Sequence, residues 1–516
     1  MEEFKERLQL ARLVSDRSDL RYIGTWHGVG KRLAQRSSLI PSGFVTFIGS
    51  NDDPTEMSST FLLKIAENMG SPSSSFNSNS RVLKTIFDSI ALKTIQARPL
   101  SNAENHAYFA LIETQKEEKT VTFLSMIREM LTTHLFDETI THVFVDEAQD
   151  MGEGHSIYLK AIKERFPHVK LILVGDEKQG INNFMGASNS AFTSFPADFQ
   201  AVFSSTYRLP KCILDYSNSI FISSRSPDAY VGLTTESLSP YKGSLREGDF
   251  FSTLEYVKEH IAKGESVMFL ARHNSTVGEI YSLLMRHSIP FIVESEKKGV
   301  TQLHIDFAKE KALCIEHRAI TSSMLDILNP LRSSGEKGLL NIRRKKGAIY
   351  VDHNRRDAYK TQQAQLASAQ REFLFEAEEF DETEILSTDL SRLESVGLTA
   401  RFAEDLLSDN LDYSFFVGGR GEKKKEVYIL VNHWVKLYGR DIKPVSLMTI
   451  HKAKGLEADV TVLCTETFGS SERMERADPD SERRTWYVGA TRSKKALYLS
   501  SIPSQSSRTR MLPRIN

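Results

Sequence analysis

The stretch richest in chemistry runs from His142 to Asp150. A short apolar run, His142-Val143-Phe144-Val145, ends in Asp146-Glu147-Ala148-Gln149-Asp150, which packs three carboxylates and an amide into five residues. Adjacent Asp146 and Glu147 suit a hydrated Mg²⁺ and an activated water. Mg²⁺ binds through one or two carboxylates and keeps several of its waters, while a neighbouring carboxylate can accept the nucleophile's proton. Nucleoside-triphosphate hydrolysis needs that layout. Taken alone, Asp-Glu after an apolar run reads more plainly as a solvated turn, so the surrounding elements decide.

Those elements read as a parallel sheet. A β-branched run stopped by acids is the pattern of a buried parallel strand, and its acids then project from the carboxyl edge where open α/β sheets bind ligands. A second strand, Leu171 to Val174, delivers Gly175-Asp176 to the same edge. Between them His155 to Phe166 carries Tyr158, Ala161, Ile162 and Phe166 at helical spacing, completing a βαβ unit. Gln179 sits just beyond the second strand, where an amide could reach a terminal phosphate or simply belong to a polar loop. Thr206-Tyr207-Arg208-Leu209-Pro210 opens a helix with Ile213, Leu214, Ser217 and Ile220 on one face, and Pro210 suits its first turn. Tyr207 and Arg208 could there stack a base and reach a phosphate; the plainer alternative is a half-buried Tyr and a surface Arg.

Further along, Ser266–Ala271 and Pro290–Val293 read as strands with a helix, Ser275–Arg286, between them. Strand signals resume at Val445–Ile450, Val460–Cys464 and Ala496–Leu499, with a helix over Glu482–Arg492. Met1–Leu13 also reads as a helix. Ser71–Ser80 reads as a polar, low-complexity loop. The region from Val300 to Trp434 turns mainly helical and carries basic runs at Arg343–Lys346 and, just beyond Gly421, at Lys423–Lys425, with an acidic run at Glu376–Glu384.

Composition narrows the class. The 516 residues allow two to four domains, and 40% hydrophobic with 26% charged content is that of an ordinary globular chain. No apolar run approaches the roughly 20 residues of a membrane span, and the N-terminus (Glu2, Glu3, Lys5, Glu6, Arg7) is not signal-like. Three scattered cysteines, Cys212, Cys314 and Cys464, form no metal spacing and fit a reducing, cytoplasmic setting. A net charge of −1 leaves any nucleic-acid binding to local patches.

Six ordered blocks together resemble the superfamily 1 DNA helicases of the UvrD/Rep type: Gly24–Leu33, Val145–Asp150, Val174–Ala187, Thr206–Leu214, Leu447–Asp459 and Glu482–Ser493. The resemblance implies an α/β fold of two RecA-like parallel-sheet domains, each with a mainly helical insertion. Residues 1–200 would form domain 1A with insertion 1B at about 34–138, and residues 201–516 domain 2A with insertion 2B at about 300–434. ATP would bind between the two domains. Asp146 would hold Mg²⁺, Glu147 would polarise the attacking water and Gln179 would sense the γ-phosphate. Arg208 and Arg492 would clamp the transferring phosphoryl group. Tyr207, Gly455 and Glu457 would bind the nucleotide, through base stacking for Tyr207 and sugar contact for Glu457. Thr25, His27, Phe184, Thr449 and His451 would lie along single-stranded or partly duplex DNA. The implied activity is ATP-dependent 3′→5′ translocation in repair, recombination or defence, in a cytoplasmic, nucleoid-associated protein, with a nuclease or repair factor as a possible protein partner.

Two departures from the family pattern stand out. No Gly-x-x-x-x-Gly-Lys-[Ser/Thr] phosphate loop occurs. In the nearest stretch, Gly24 is one residue too far from Gly30-Lys31 and Arg32 replaces the hydroxyl. The family's loop is expected ahead of Met1, so either the chain starts late, or another polypeptide supplies the loop, or the protein is a non-hydrolysing, helicase-like DNA-binding or scaffold protein. Its absence would also leave the first sheet incomplete, with apolar surface exposed. The second departure is Asn182 and Met185, which stand where the family has Tyr and Arg.

Overall fold

The computed structural model describes residues 24–36, 46–48, 57–70, 76–222, 235–293, 300, 302–318, 320–321, 324, 385–386, 406–409, 421–441, 443–467, 478–503, 509–510 and 512–515. The helix expected over Met1–Leu13, the basic run Arg343–Lys346 and the acidic run Glu376–Glu384 lie outside these residues. The chain divides into two compact units. The first is Met1–Phe203 with Ser224–Gly232 and Met474–Tyr487; the second is Ser204–Ser223 with Leu233–Arg473 and Val488–Asn516.

In the first unit, β1 (Thr46–Ile48) pairs in parallel with β2 (Thr120–Thr122), and β3 (His142–Val145) pairs in parallel with β4 (Lys170–Leu173). The β3–β4 register sets Val143 against Leu171 and Val145 against Leu173. These four side chains pack with Tyr158, Leu159 and Ile162 of the helix Glu153–Arg165 and with Ile127, Met130 and Leu131 of the helix Phe123–Thr133. The opposite face carries Phe144, 72% exposed, and Val174. A second core lies among the helices Ser59–Asn68, Phe76–Ile95 and Asn102–Glu118, where Phe61, Ile65, Phe87, Ile90 and Leu111 are buried. The polar stretch read as a loop over Ser71–Ser80 is helical from Phe76 onward, because that helix runs without a break into the apolar residues Leu83, Phe87 and Ile90.

A capping box starts the helix Asn102–Glu118. The Ser101 hydroxyl accepts from the Glu104 amide at 3.4 Å, and the Glu104 carboxylate accepts from the Ser101 amide at 2.6 Å. Lys93 Nζ, 2.6 Å from the same carboxylate, is the largest of the influences that hold Glu104 down at about 2; Ser89 and the Ser101 amide add to it.

The second unit holds the short parallel pair β5 (Ser205–Thr206) and β6 (Glu236–Ser237) beside a six-stranded sheet. That sheet is built from β7 (Ser244–Asp249), β8 (Val267–Ala271), β9 (Phe291–Val293), β12 (Val445–Thr449), β13 (Ala458–Cys464) and β15 (Ser493–Ser501), in the order β7-β15-β13-β8-β12-β9 and parallel throughout. Four further short segments pair antiparallel: β10 (Ile320–Thr321) with β11 (Ile385–Leu386), and β14 (Glu466–Thr467) with β16 (Thr509–Arg510). Every residue of β8 is buried, as expected of a central parallel strand covered on both faces. Phe250, Leu254 and Val257 of the helix Phe250–Ala262, Val277, Ile280 and Leu284 of Asn274–Arg286, and Trp434 of Gly421–Tyr438 close the core around it. This mixed α/β architecture with parallel sheets is the fold class expected of the sequence. The helix Pro479–Ala490 passes from the first unit into the second at Tyr487–Val488.

Candidate functional site

At the carboxyl edge of β3 and β4 the chain ends cross-link. Val174 N donates to Val145 O at 2.8 Å and Ala148 N donates to Val174 O at 2.9 Å, which fixes where the acids leave the sheet. Asp146 and Glu147 are exposed at that edge. Glu147 adopts a left-handed backbone (φ 53°), unusual for a residue with a Cβ, and its amide donates to Asp146 Oδ1 at 2.9 Å. Gln149, 1% exposed, joins the two strand ends: its Nε2 donates to Glu147 Oε2 and its Oε1 accepts from Asp176 N at 3.0 Å. Asp176 Oδ2 in turn accepts from Gln179 Nε2 at 2.8 Å. Asp146, Glu147 and Gln179, singled out by residue type, thus belong to one hydrogen-bonded chain. The link that sequence reasoning left unassigned is Gln149, whose only signal was an amide set between acids.

The donors exposed here are carboxylate oxygens, the type a hard cation prefers, and one or two of them suffice for Mg²⁺ completed by water and phosphate oxygens. Among the described residues no cluster of three or more His, Cys, Asp or Glu offers a metal cage. Asn182 Nδ2 donates to Asp150 Oδ2 at 3.0 Å, which ties the loop after Gln179 back to the acidic stretch, and Met185 is exposed. Thr25 begins the helix Trp26–Arg36 and accepts from Gly28 N at 3.2 Å. The side chains of His27 and Phe184 lie outside the described residues.

The second unit gathers its own predicted residues on two stretches of the sheet's edge. Arg208 Nη1 lies 3.8 Å from Glu457 Oε2, and Lys494 Nζ lies 2.5 Å from Glu457 Oε1. The hydrogen bond from Lys494 is the main reason the Glu457 carboxyl is held below its usual range; the charges of Lys494, Arg208 and Arg492 reinforce it. Gly455, at φ 78°, makes the left-handed turn that brings Leu456 and Glu457 round to this point. Tyr207 is 75% exposed beside Arg208. Arg208 Nε is buried and has no hydrogen-bond partner among the described residues, so it is a donor open to an acceptor.

Arg492 differs. It is 2% exposed, and its guanidinium donates to Val488 O at 2.9 Å, Leu456 O at 3.4 Å and Thr491 Oγ1 at 2.9 Å. Thr449 ends β12, and His451 follows it. Burial, with the charges of Arg272, His273 and Lys454 behind it, pushes His451 down to about 4. Arg272 and His273, delivered by the end of β8, were not singled out from sequence; a basic pair directly after an all-apolar strand was the available signal. Neutral near pH 7, His451 offers a hydrogen bond rather than a charge, and the cations around it supply the positive field.

The family profile of the UvrD/REP helicase N-terminal domain matches residues 2–200, and that of the UvrD-like helicase C-terminal domain matches residues 435–504. The chain is 24% identical over 451 residues to the ATP-dependent DNA helicase PcrA of Bacillus subtilis, covering 76% of this chain and 59% of that protein. It is 25% identical over 416 residues to DNA helicase II of Haemophilus influenzae, covering 72% and 56%. With PcrA of Staphylococcus aureus it shares 22% over 588 aligned positions, covering 98% and 75%. The chain spans somewhat over half the length of the first two relatives. With both helicase domains present in order, the chain belongs to the UvrD/Rep type of superfamily 1 DNA helicases.

Proposed function

We propose that this protein works as an ATP-dependent DNA translocase or helicase with 3′→5′ polarity. The observation that carries the reading is the hydrogen-bonded chain Glu147–Gln149–Asp176–Gln179, which leaves Asp146 and Glu147 exposed at the carboxyl edge of a parallel sheet. Asp146 would hold Mg²⁺, which supplies charge neutralisation on the phosphate oxygens when bound. Glu147 would accept a proton from water, a role supported by the hydrogen bond from Gln149 Nε2 that orients its carboxylate. Gln179, whose Nε2 is held by Asp176, would sense the γ-phosphate. Arg208, with its unpartnered Nε, is the cation ready to meet phosphate oxygen. Thr449, His451, Arg272 and His273 are assigned to the DNA backbone, where contacts of this kind bind without reading sequence.

DNA-stimulated ATP hydrolysis by the full chain tests the reading, with Glu147→Gln as the decisive variant. Loss of the base is expected to slow turnover about 10²- to 10⁴-fold while DNA binding persists. Turnover that survives Glu147→Gln would remove Glu147 from its role. DNA binding by the unaltered chain that is indifferent to Mg-ATP, with no turnover, would favour the non-hydrolysing alternative.

A further inference from the structure

Arg484 lies in the Glu-Arg-Arg-Thr-Trp-Tyr stretch of the last helix, and the functional reading leaves it without a task. It is 8% exposed and belongs to the first unit. Its Nε donates to the carbonyl oxygen of Gly180 at 2.8 Å, across 304 residues of sequence. Among the described residues no carboxylate forms an ion pair with it. A buried guanidinium is costly unless it is paired or hydrogen-bonded, and this one is bonded to the Gly180–Ile181 peptide, one residue beyond Gln179.

The turn it grips is short and tightly specified. Gln179 N donates to Asp176 O at 2.8 Å and Gly180 N donates to Glu177 O at 3.3 Å. Asp176 Oδ1 accepts from Lys178 N at 3.0 Å, and Asn189 Nδ2 donates to Glu177 O at 3.0 Å. Glu177 is pushed up by burial, while Lys178 and Arg484 pull the other way, so the charge of Arg484 is felt within the turn. Asp176 and Asn189 hold the beginning of the turn, and Arg484 holds its end.

We propose that Arg484 is a positioning residue for Gln179: by fixing the Gly180 carbonyl it sets the direction in which the Gln179 amide is presented. The assignment rests on the ATPase reading above and deepens it. Displacement of a reacting group by about 1 Å can cost about 10²-fold in rate, so a single backbone clamp at this peptide is enough to matter.

Two measurements on the full chain test it. The first is amide exchange at Gln179 and Gly180 in the unaltered chain, Arg484→Met and Arg484→Lys. Losing a charged donor is expected to speed exchange at these two amides about tenfold to a hundredfold in Arg484→Met, with less change in Arg484→Lys, and to leave the helix Phe123–Thr133 unaffected. Unchanged exchange in the turn, or acceleration spread equally over the first unit, overturns the proposal. The second is steady-state ATPase. Arg484→Met should lower kcat about tenfold or more with KM for ATP nearly unchanged, and the pair Arg484→Met with Gln179→Ala should be no slower than Gln179→Ala alone. Additive losses overturn it. If the unaltered chain shows no DNA-stimulated turnover, the ATPase reading falls, and the exchange measurement still decides whether Arg484 orders the turn.

Discussion

His451 makes the stability of the second unit depend on pH in a way that can be worked out. Burial holds its folded-state value at about 4, against about 6.5 for a solvated imidazole. The unfolded chain therefore binds this proton more tightly than the folded one. The sign follows: the contribution is intact above about pH 6.5 and is lost as pH falls from there towards 4. Between pH 7.5 and pH 5.0 one such group removes about 2 kcal/mol. For a unit of this size that corresponds to a melting point about 4 °C lower. Other groups titrate in the same interval, so the measured quantity is a difference. Urea unfolding of the unaltered chain and of His451→Asn is followed at both pH values by amide exchange in β12 and β13. The variant should lose about 2 kcal/mol less than the parent on going to pH 5.0. Equal losses would show that His451 is solvated and protonates freely, and the argument that it meets DNA as a neutral donor would fail with it.

Two further substitutions test the packing that positions the sites. A Cβ on Gly489 would lie 2.9 Å from Leu463 Cδ1 and 3.4 Å from Ile450 Cγ1 and Cδ1, and both neighbours are fully buried. Gly489→Ala should therefore destabilise the second unit by about 1 kcal/mol, the overpacking outweighing the helix propensity gained; a raised urea midpoint would contradict this. Ser101→Ala removes the cap of the helix Asn102–Glu118 and should cost about 1 kcal/mol by chemical denaturation. Because Glu104 is held well below its usual value, its contribution is complete above about pH 4.5 and disappears as pH falls towards 2, so the penalty should shrink in strong acid; a penalty independent of pH would separate the cap from the carboxylate.

What the sequence made legible was the part in which local pattern and final environment agree. β3 and β8 are apolar runs that end at chemistry-bearing residues, and they fold as such. The face Ile213, Leu214, Ser217 and Ile220 is buried in the helix Lys211–Ile222. β7 was not legible, because Ser-Leu-Arg-Glu-Gly-Asp has neither an apolar run nor clean alternation; it is an edge strand ordered by pairing with β15 alone. Gln149 reads as one polar residue among several until β4 arrives beside β3 and its amide meets Asp176 N. Arg484 is the extreme case, since its partner is a backbone carbonyl that carries no side-chain signal at all.

The two arginines that residue type made equivalent are physically unlike. Arg208 and Glu457 are each about a third or more exposed and 3.8 Å apart, so their ion pair is worth at most about 1 kcal/mol and gives way to a better acceptor. Glu457 keeps Lys494 when that happens. Arg492 would have to give up buried bonds to two carbonyls and a hydroxyl before it could reach a phosphate. In this state its work is structural: the bond to Leu456 O steadies the turn from Gly455 to Glu457, and its charge helps to keep Glu457 ionised. Arg208 is therefore the more accessible of the two cations. Any contact of Arg492 with a phosphate would first cost it the bonds to Val488 O, Leu456 O and Thr491 Oγ1.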